Sequence, residues 1–336
     1  MAQLPRFSDV QAAAKRLAGW AVHTPLLEAP PLSARLGFRL FLKAECLQRT
    51  GSFKFRGAFN RLSALSEAER GRGVVAFSSG NHAQGVACAA QLLGIKAAIV
   101  MPADAPHIKI ENTRGYGAEV ILYDRHRESR EGIADRLVTE RGATLIRPFD
   151  DPLIIAGQGT AALEAFEDAA ALGVTFDALA APASGGGLIA GSALAGEARS
   201  PKTAIYTAEP AGLDDHARSL ARNERVGHDA SVESICDALQ AIMPGEITFE
   251  ISRRLLAGGL VVTDDEVKAA MRTAFTEFKL VLEPSGAAAL AAALHGRIPG
   301  KPRAVCVIAS GGNVDPGFYA EVLRGYEVAA SIDLTI

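Results

Sequence analysis

The chain reads as an α/β protein with two open, mostly parallel sheets flanked by helices and a ligand cleft between them. Short apolar runs of strand length alternate with helix-length segments through most of the 336 residues. Strands buried on both faces between helices belong to mostly parallel sheets. Three glycine-bearing turns also follow strands at the end where open α/β sheets take ligands.

The elements can be taken in order. Leu40–Ala44, Gly73–Phe77, Ala97–Met101, Glu119–Tyr123 and Thr144–Arg147 are the first strand candidates. Between them, His82–Leu93 is Ala-rich and ends before Gly94, while Glu128–Arg141 is charged and amphipathic and stops at Gly142. Phe176–Ala181, Ala204–Ala208 and Ala304–Ala309 continue the strand pattern. Helices are expected over Gly159–Ala171, Leu188–Arg199, Asp264–Phe278 and Pro284–His295. No internal repeat, low-complexity segment or long linker interrupts the pattern.

Composition narrows the class. With 49% hydrophobic and 22% charged residues, the chain holds roughly two domains' worth of core. No run approaches the ~18 apolar residues of a membrane span, and the amino terminus has no charged segment followed by an apolar one. A cytoplasmic protein with no membrane partner is expected. Cys46, Cys88, Cys236 and Cys306 lie far apart without a CxxC, so they read as buried thiols rather than disulfides or zinc ligands. A net charge of −3 with both signs scattered offers no basic stripe, which excludes nucleic acid as a partner.

The segment Gln48–Ala58 places Lys54 between Phe53 and Phe55, in a glycine-flanked turn that opens onto a helical pattern. A desolvated ammonium loses its proton more easily, so such a lysine presents a neutral amine able to form a Schiff base with an aldehyde. The plainer alternative is a lysine that snorkels to water along its stem. Ser78-Ser79-Gly80-Asn81-His82 follows a strand, and its N–H groups suit a carboxylate, although Ser and Asn also serve as ordinary helix caps. Ser184-Gly185-Gly186-Gly187-Leu188 joins strand to helix, where consecutive N–H groups and the helix dipole favour a phosphate. The third turn, Ser310-Gly311-Gly312-Asn313, sets a hydroxyl at a strand end.

Gly185, Gly187 and Ala190 also fit G-x-G-x-x-A, with Glu209 about 20 residues on, where a dinucleotide-binding protein carries its ribose acid. An NAD-dependent dehydrogenase therefore survives on pattern alone. Against it, the motif lies in mid-chain, and a dinucleotide fold has no need of Lys54. A non-catalytic amino-acid-binding protein is the alternative outside enzymes.

Taken together, Gln48–Ala58, Ser78–Gln84, Ala156-Gly157-Gln158-Gly159-Thr160, Ser184–Gly191, Glu283-Pro284 and Ser310–Asn313 resemble the ordered motifs of one family. It is the fold-type II pyridoxal-phosphate enzymes, tryptophan synthase β-like in fold, in the threonine/serine dehydratase and serine racemase group. The resemblance spans roughly Val22 to Val314. It implies a large cofactor-binding domain of residues 1–72 and 148–336, a small domain of 73–147, and a cofactor between them.

The resemblance assigns roles position by position. Lys54 matches the lysine that bonds to pyridoxal 5'-phosphate and then takes the α-proton. Phe53 matches the aromatic packed beside the cofactor ring, and Asn81 the amide at its 3′-oxygen. Glu283 matches a further cofactor-site residue. Ser184, Gly185, Gly186, Gly187 and Leu188 match the phosphate cup, and Ser310 the hydroxyl at the pyridine nitrogen. Ser78, Ser79, Gly80, Asn81 and His82 match the substrate-carboxylate loop. Ser79 matches the second acid/base of the racemases. A neutral hydroxyl at the ring nitrogen is thought to favour β-elimination over transamination.

The implied activity is an ammonia-lyase that converts a small β-hydroxy amino acid of the L-threonine or L-serine type to a 2-oxo acid. Hydroxyaspartate ammonia-lyase, solute-catabolic dehydratase and serine racemase are alternatives within the group. Ser184 replaces the first of four cup glycines found in many relatives, which points to a specialised branch. Arg49, Arg56, Arg114 and Arg147 are candidate partners for a second substrate carboxylate. Clustered carboxylates at Glu209, Asp214 and Asp215 suit a hard cation or simply a solvated surface. The resemblance favours Mg2+ or Ca2+ on Glu209, Asp215 and the carbonyl of Leu213, in a stabilising role. It also implies a homodimer and, with the sequence ending at Ile336, no regulatory domain and no isoleucine feedback.

Overall fold

The computed structural model describes residues 4–125, 127–229 and 231–325. Residues 1–3 and 326–336 of the expected large domain, and 126 of the small one, lie outside that description, as does 230. Among the described residues ten strands form two sheets: β1 (Leu26–Glu28), β2 (Arg39–Lys43), β3 (Val74–Phe77), β4 (Ala97–Pro102), β5 (Glu119–Tyr123), β6 (Thr144–Leu145), β7 (Ala178–Pro182), β8 (Ala204–Pro210), β9 (Gly258–Val262) and β10 (Ala304–Ile308). One sheet has the order β1-β2-β10-β7-β8-β9, the other β5-β4-β3-β6. Every pair is parallel except β1 with β2. The four-stranded sheet is built wholly from residues between 74 and 145.

The expected strands are all present, with shifts at their ends. The Thr144–Arg147 expectation contracts to Thr144–Leu145: Pro148 has no N–H to continue the ladder, and Arg147 and Pro148 line the cavity. β1 and β9 are additions. Leu26–Glu28 is three residues long, and Gly258–Val262 opens with two glycines, so neither makes a clear apolar run. The central strands β7 and β10 are buried at every position, the pattern that predicted helices on both faces. All four cysteines are free and buried, as expected.

The helix Pro152–Ala171 organises the site from behind. Asp151 caps it by accepting from the N–H groups of Leu153 and Ile154 at 2.8 and 3.1 Å, and Pro152 occupies its first turn. Two other helices touch its backbone. A Cβ on Gly157 would stand 2.6 Å from the Arg56 carbonyl, in the helix Lys54–Ser63. One on Gly191, in the helix Gly187–Arg199, would strike the Ile155 carbonyl. The Ala156–Thr160 motif is therefore a packing device. It fixes the helix that starts at Lys54 and the helix that starts at the glycine cup on a common support.

A buried charge network holds the same region. Arg56 is fully buried and donates to Glu45 at 2.7 and 2.8 Å and to Glu164 at 2.7 and 2.8 Å, and Lys43 adds a 2.7 Å bond to Glu164. Removing one partner of such a network leaves an unpaired buried charge, a loss of roughly 3–5 kcal/mol. No described helix is long and apolar enough to cross a membrane.

Candidate active site

A cavity of about 670 Å3 lies between the two sheets, and the three glycine-bearing turns meet in it. Phe53, Lys54, Ser78–His82, Ser184–Leu188, Glu283 and Ser310 all line it, so residues from nearly the whole length of the chain converge. Lys54 is the first residue of its helix, half-buried, with its Nζ donating to the Pro148 carbonyl at 3.0 Å. The amine lies 5.1 Å from the centroid of the Phe53 ring. Burial pushes its pKa down to about 8, and the nearby Glu283 carboxylate limits the fall. Phe53 is tied by its N–H to the Ser310 carbonyl at 3.0 Å, and Ser52 bridges Gly311, so the first and third turns form one unit.

The cup of the second sheet-end turn is shaped by close packing. Gly186 takes φ +92°, and a Cβ there would stand 2.6 Å from the His216 ring. A Cβ on Gly185 would enter the Phe149 ring. The leading N–H groups of the helix Gly187–Arg199 have no intrahelical acceptor, and the helix dipole behind them makes such an N-terminus suited to an anion. Thr248 Oγ1 and the Gly245 N–H both donate to the Gly185 carbonyl, at 2.6 and 3.1 Å, which satisfies that carbonyl and fixes the turn. Ser184, the departure from four glycines, accepts from the Ala241 N–H at 2.9 Å. Its hydroxyl thereby fastens the cup to the cavity wall at 237–243.

The loop Ser78–His82 is held on several sides. Ser78 Oγ accepts from the Gly80 N–H at 3.1 Å, and Ser79 lines the cavity with a half-exposed side chain. Asn81 donates to Glu283 at 2.5 Å and accepts from Asn313 at 2.8 Å. His82 donates its Nε2–H to the Ile146 carbonyl at 3.1 Å, leaving Nδ1 buried without a partner. Burial, with the Lys54 charge adding to it, pushes the imidazole pKa down to about 3, so His82 is neutral at any working pH.

Sequence reasoning missed Lys109 and Asp237. Lys109 runs beneath Gly80, and its Nζ donates to Asp237 at 2.6 Å and lies 3.5 Å from Glu283. Burial alone would lower its pKa, but the two carboxylates overcome this and raise it. Glu283 itself is pushed up to about 7 by burial, with Lys109 opposing the rise. The available signal was slight: Lys109 lies with Ile110 and Thr113 on the buried face of the helix His107–Gly115, an unusual place for a lysine.

Three of the four arginine candidates stay out of the cavity. Arg56 is committed to Glu45 and Glu164, Arg49 to the Trp20 carbonyl, and Arg114 to Glu111. Arg147 lines the cavity, together with Arg125 and Arg130, which the sequence did not single out. Glu209 does not serve as a ribose acid. It is fully buried, and its oxygens accept from the N–H groups of His216 and Ala217 at 3.1 and 2.8 Å. Asp215 accepts from His228 Nδ1 at 2.9 Å, with its second oxygen buried and unpartnered. Among the described residues no three His, Cys, Asp or Glu side chains are grouped to hold a metal, so a cation would need backbone oxygens such as that of Leu213.

A fold of two mostly parallel sheets with a lysine, a glycine-rich turn and the Ser310 hydroxyl in one cleft defines a class of enzyme. The chain belongs to the pyridoxal-phosphate dependent enzyme family, whose sequence profile matches residues 19–311. It is 46% identical over 323 residues to an L-threo-3-hydroxyaspartate ammonia-lyase of Pseudomonas sp, covering 96% of this chain and 100% of the relative. Among solved structures it is similar to a threonine deaminase from T.th., with TM-score 0.87 and 46% identity over 93% of this chain and 99% of that one. Maize serine racemase superposes with TM-score 0.89 at 39% identity, over 96% of this chain and 98% of that one. Pyridoxal phosphate is the cofactor, and the dehydrogenase and non-catalytic binding readings fall away.

Proposed function

We propose that the protein is an ammonia-lyase that removes the hydroxyl of a β-hydroxy amino acid and releases a 2-oxo acid and ammonia. The observation that carries this reading is Lys54: a lysine with a depressed pKa, facing the same cavity as a phosphate cup and a carboxylate loop. The cup residues Ser184–Leu188 fit the cofactor phosphate, because the leading N–H groups of a helix converge there. Ser310 and Phe53, joined by a backbone bond, suit the far end and the flank of a flat ring. Bound there, pyridoxal phosphate supplies a conjugated electron sink that makes the α-proton of an amino acid removable.

The chain's own groups do the rest. Lys54 Nζ holds or gives up a proton near neutral pH, which suits a base for the α-proton. The Ser78–His82 loop binds the α-carboxylate through its N–H groups, and neutral His82 orients that loop through Ile146 without adding charge. Ser79 faces the cavity as a neutral hydroxyl, and inversion at the α-carbon would require it as a second acid/base. The relatives differ in their named substrates, and loss of ammonia is what the names of the hydroxyaspartate ammonia-lyase and the threonine deaminase share.

A divalent cation, Mg2+ or Ca2+, is proposed near Glu209 and Asp215. Burial raises the pKa of both carboxyls, the Asp215 charge adds to the rise at Glu209, and one Asp215 oxygen is unpartnered; a hard cation would relieve all three. Its role there is structural. The test of function is a panel of L-threonine, L-serine, D-serine and L-threo-3-hydroxyaspartate, read for ammonia, 2-oxo acid and inversion. Ammonia with equimolar oxo acid from at least one L-compound is expected. Inversion without ammonia would replace the lyase reading with a racemase.

A further inference from the structure

We propose that Arg147 binds a second carboxylate on the substrate's β-carbon, so that the cleft is built for a dicarboxylic β-hydroxy amino acid. This rests on the lyase reading above and adds to it the substrate class and the residue that selects it. The argument begins with the cations of the cavity. Arg125 is bonded to Asp104 at 2.8 Å, Arg130 to Glu131 at 2.8 Å, and Lys109 lies between Asp237 and Glu283. Lys54 is claimed by the cofactor. Arg147 alone among the cavity's arginines has no carboxylate partner among the described residues.

Its position is as specific as its charge. The carbonyl before it, of Ile146, accepts from His82 of the carboxylate loop, and the carbonyl after it, of Pro148, accepts from Lys54 Nζ at 3.0 Å. The backbone that roots Arg147 is therefore fixed on one side by the α-carboxylate loop and on the other by the reacting amine. Arg147 lines the same cavity as those two groups, and its guanidinium is thereby assigned to the β-substituent of an amino acid held between them.

Serine, threonine and 3-hydroxyaspartate differ only in that substituent, which is hydrogen, methyl or carboxylate. A guanidinium gains nothing from the first two. With the third it forms two parallel charge-assisted N–H···O bonds. The reaction balances in the same way for each. The α-C–H bond breaks with its proton passing to Lys54, and the β-C–O bond breaks with the hydroxyl taking up one proton, which balances the one Lys54 received, to leave as water. The enamine so released becomes an imine, takes up water and loses ammonia. Hydroxyaspartate would give a four-carbon 2-oxo dicarboxylate where serine gives pyruvate.

The test compares kcat/KM for L-threo-3-hydroxyaspartate and L-serine in the wild-type holoenzyme, Arg147→Gln and Arg147→Lys. The wild type is expected to prefer hydroxyaspartate, and Arg147→Gln to lower the ratio of the two values by about thirtyfold or more. Arg147→Lys should fall between, since it keeps the charge but loses the paired geometry. A ratio unmoved by Arg147→Gln, or a wild type that prefers serine, overturns the subsite and leaves the lyase reading standing. Ammonia from none of the substrates overturns both. Should Arg147→Gln fail to fold, the wild type decides. L-aspartate should then compete against serine about tenfold or more better than L-alanine, and equal competition overturns the proposal.

Discussion

At the scale of single residues, the cavity holds two lysines that the surroundings drive in opposite directions. Lys54 is lowered to about 8 by burial, while Lys109 is raised by Glu283 and Asp237. At pH 7 a lysine of pKa 8 is neutral about one time in ten, and an ordinary one only about four times in ten thousand. The rate at which the cofactor-free protein takes up pyridoxal phosphate covalently should therefore rise with pH and level off just above 8. A rate still climbing at a pH of about 10 would show an ordinary lysine. Lys54→Ala should lower ammonia release by about a thousandfold or more, read by steady-state assay. Gly185→Ala drives a methyl group into the Phe149 ring, and should weaken cofactor retention on dialysis and destabilise the fold by about 1–3 kcal/mol.

At the scale of elements, the sequence was most legible where one strand and one turn act together. The glycine cup was readable because Ala178–Pro182, Gly185–Gly187 and the helix behind them are contiguous. The Lys109 contact was not, since Lys109, Asp237 and Glu283 come from three separate parts of the chain, and nothing local to any of them specifies the others. Likewise the spacing of Arg49, Arg56, Arg114 and Arg147 could not separate an arginine locked behind the helix Lys54–Ser63 from one at the cleft. Because Lys109 joins the helix His107–Gly115 to the six-stranded-sheet side, Lys109→Met should destabilise the protein by roughly 3 kcal/mol in urea unfolding. Adding Glu283→Gln should return part of that loss. A double variant no more stable than the single one would show that the pair is not coupled. At the Glu209 and Asp215 end of β8, added Mg2+ should raise the melting temperature of chelator-treated protein, and an unchanged midpoint would remove the proposed cation.

At the scale of the molecule, function resides in how two sheets are set against each other. The alternation of apolar runs and helical segments foretold the two mostly parallel sheets, while the expectation of a separate unit at 73–147 came from the family resemblance and not from periodicity; residues 74–145 form the four-stranded sheet. That arrangement depends on which strand ends meet, a long-range property that apolar periodicity does not encode. It brings Lys54, which lies outside the segment of the four-stranded sheet, together with Ser78–His82 and Lys109, which lie within it, at a single cavity. The homodimer implied by the family resemblance predicts a sedimenting mass of twice the 35.1 kDa chain. The central claim, that Lys54 carries the cofactor, is tested most directly by borohydride reduction of the holoenzyme followed by peptide mass mapping. The expected result is one pyridoxyl phosphate group per chain, on Lys54. A label on Lys109, or none on Lys54, would contradict it.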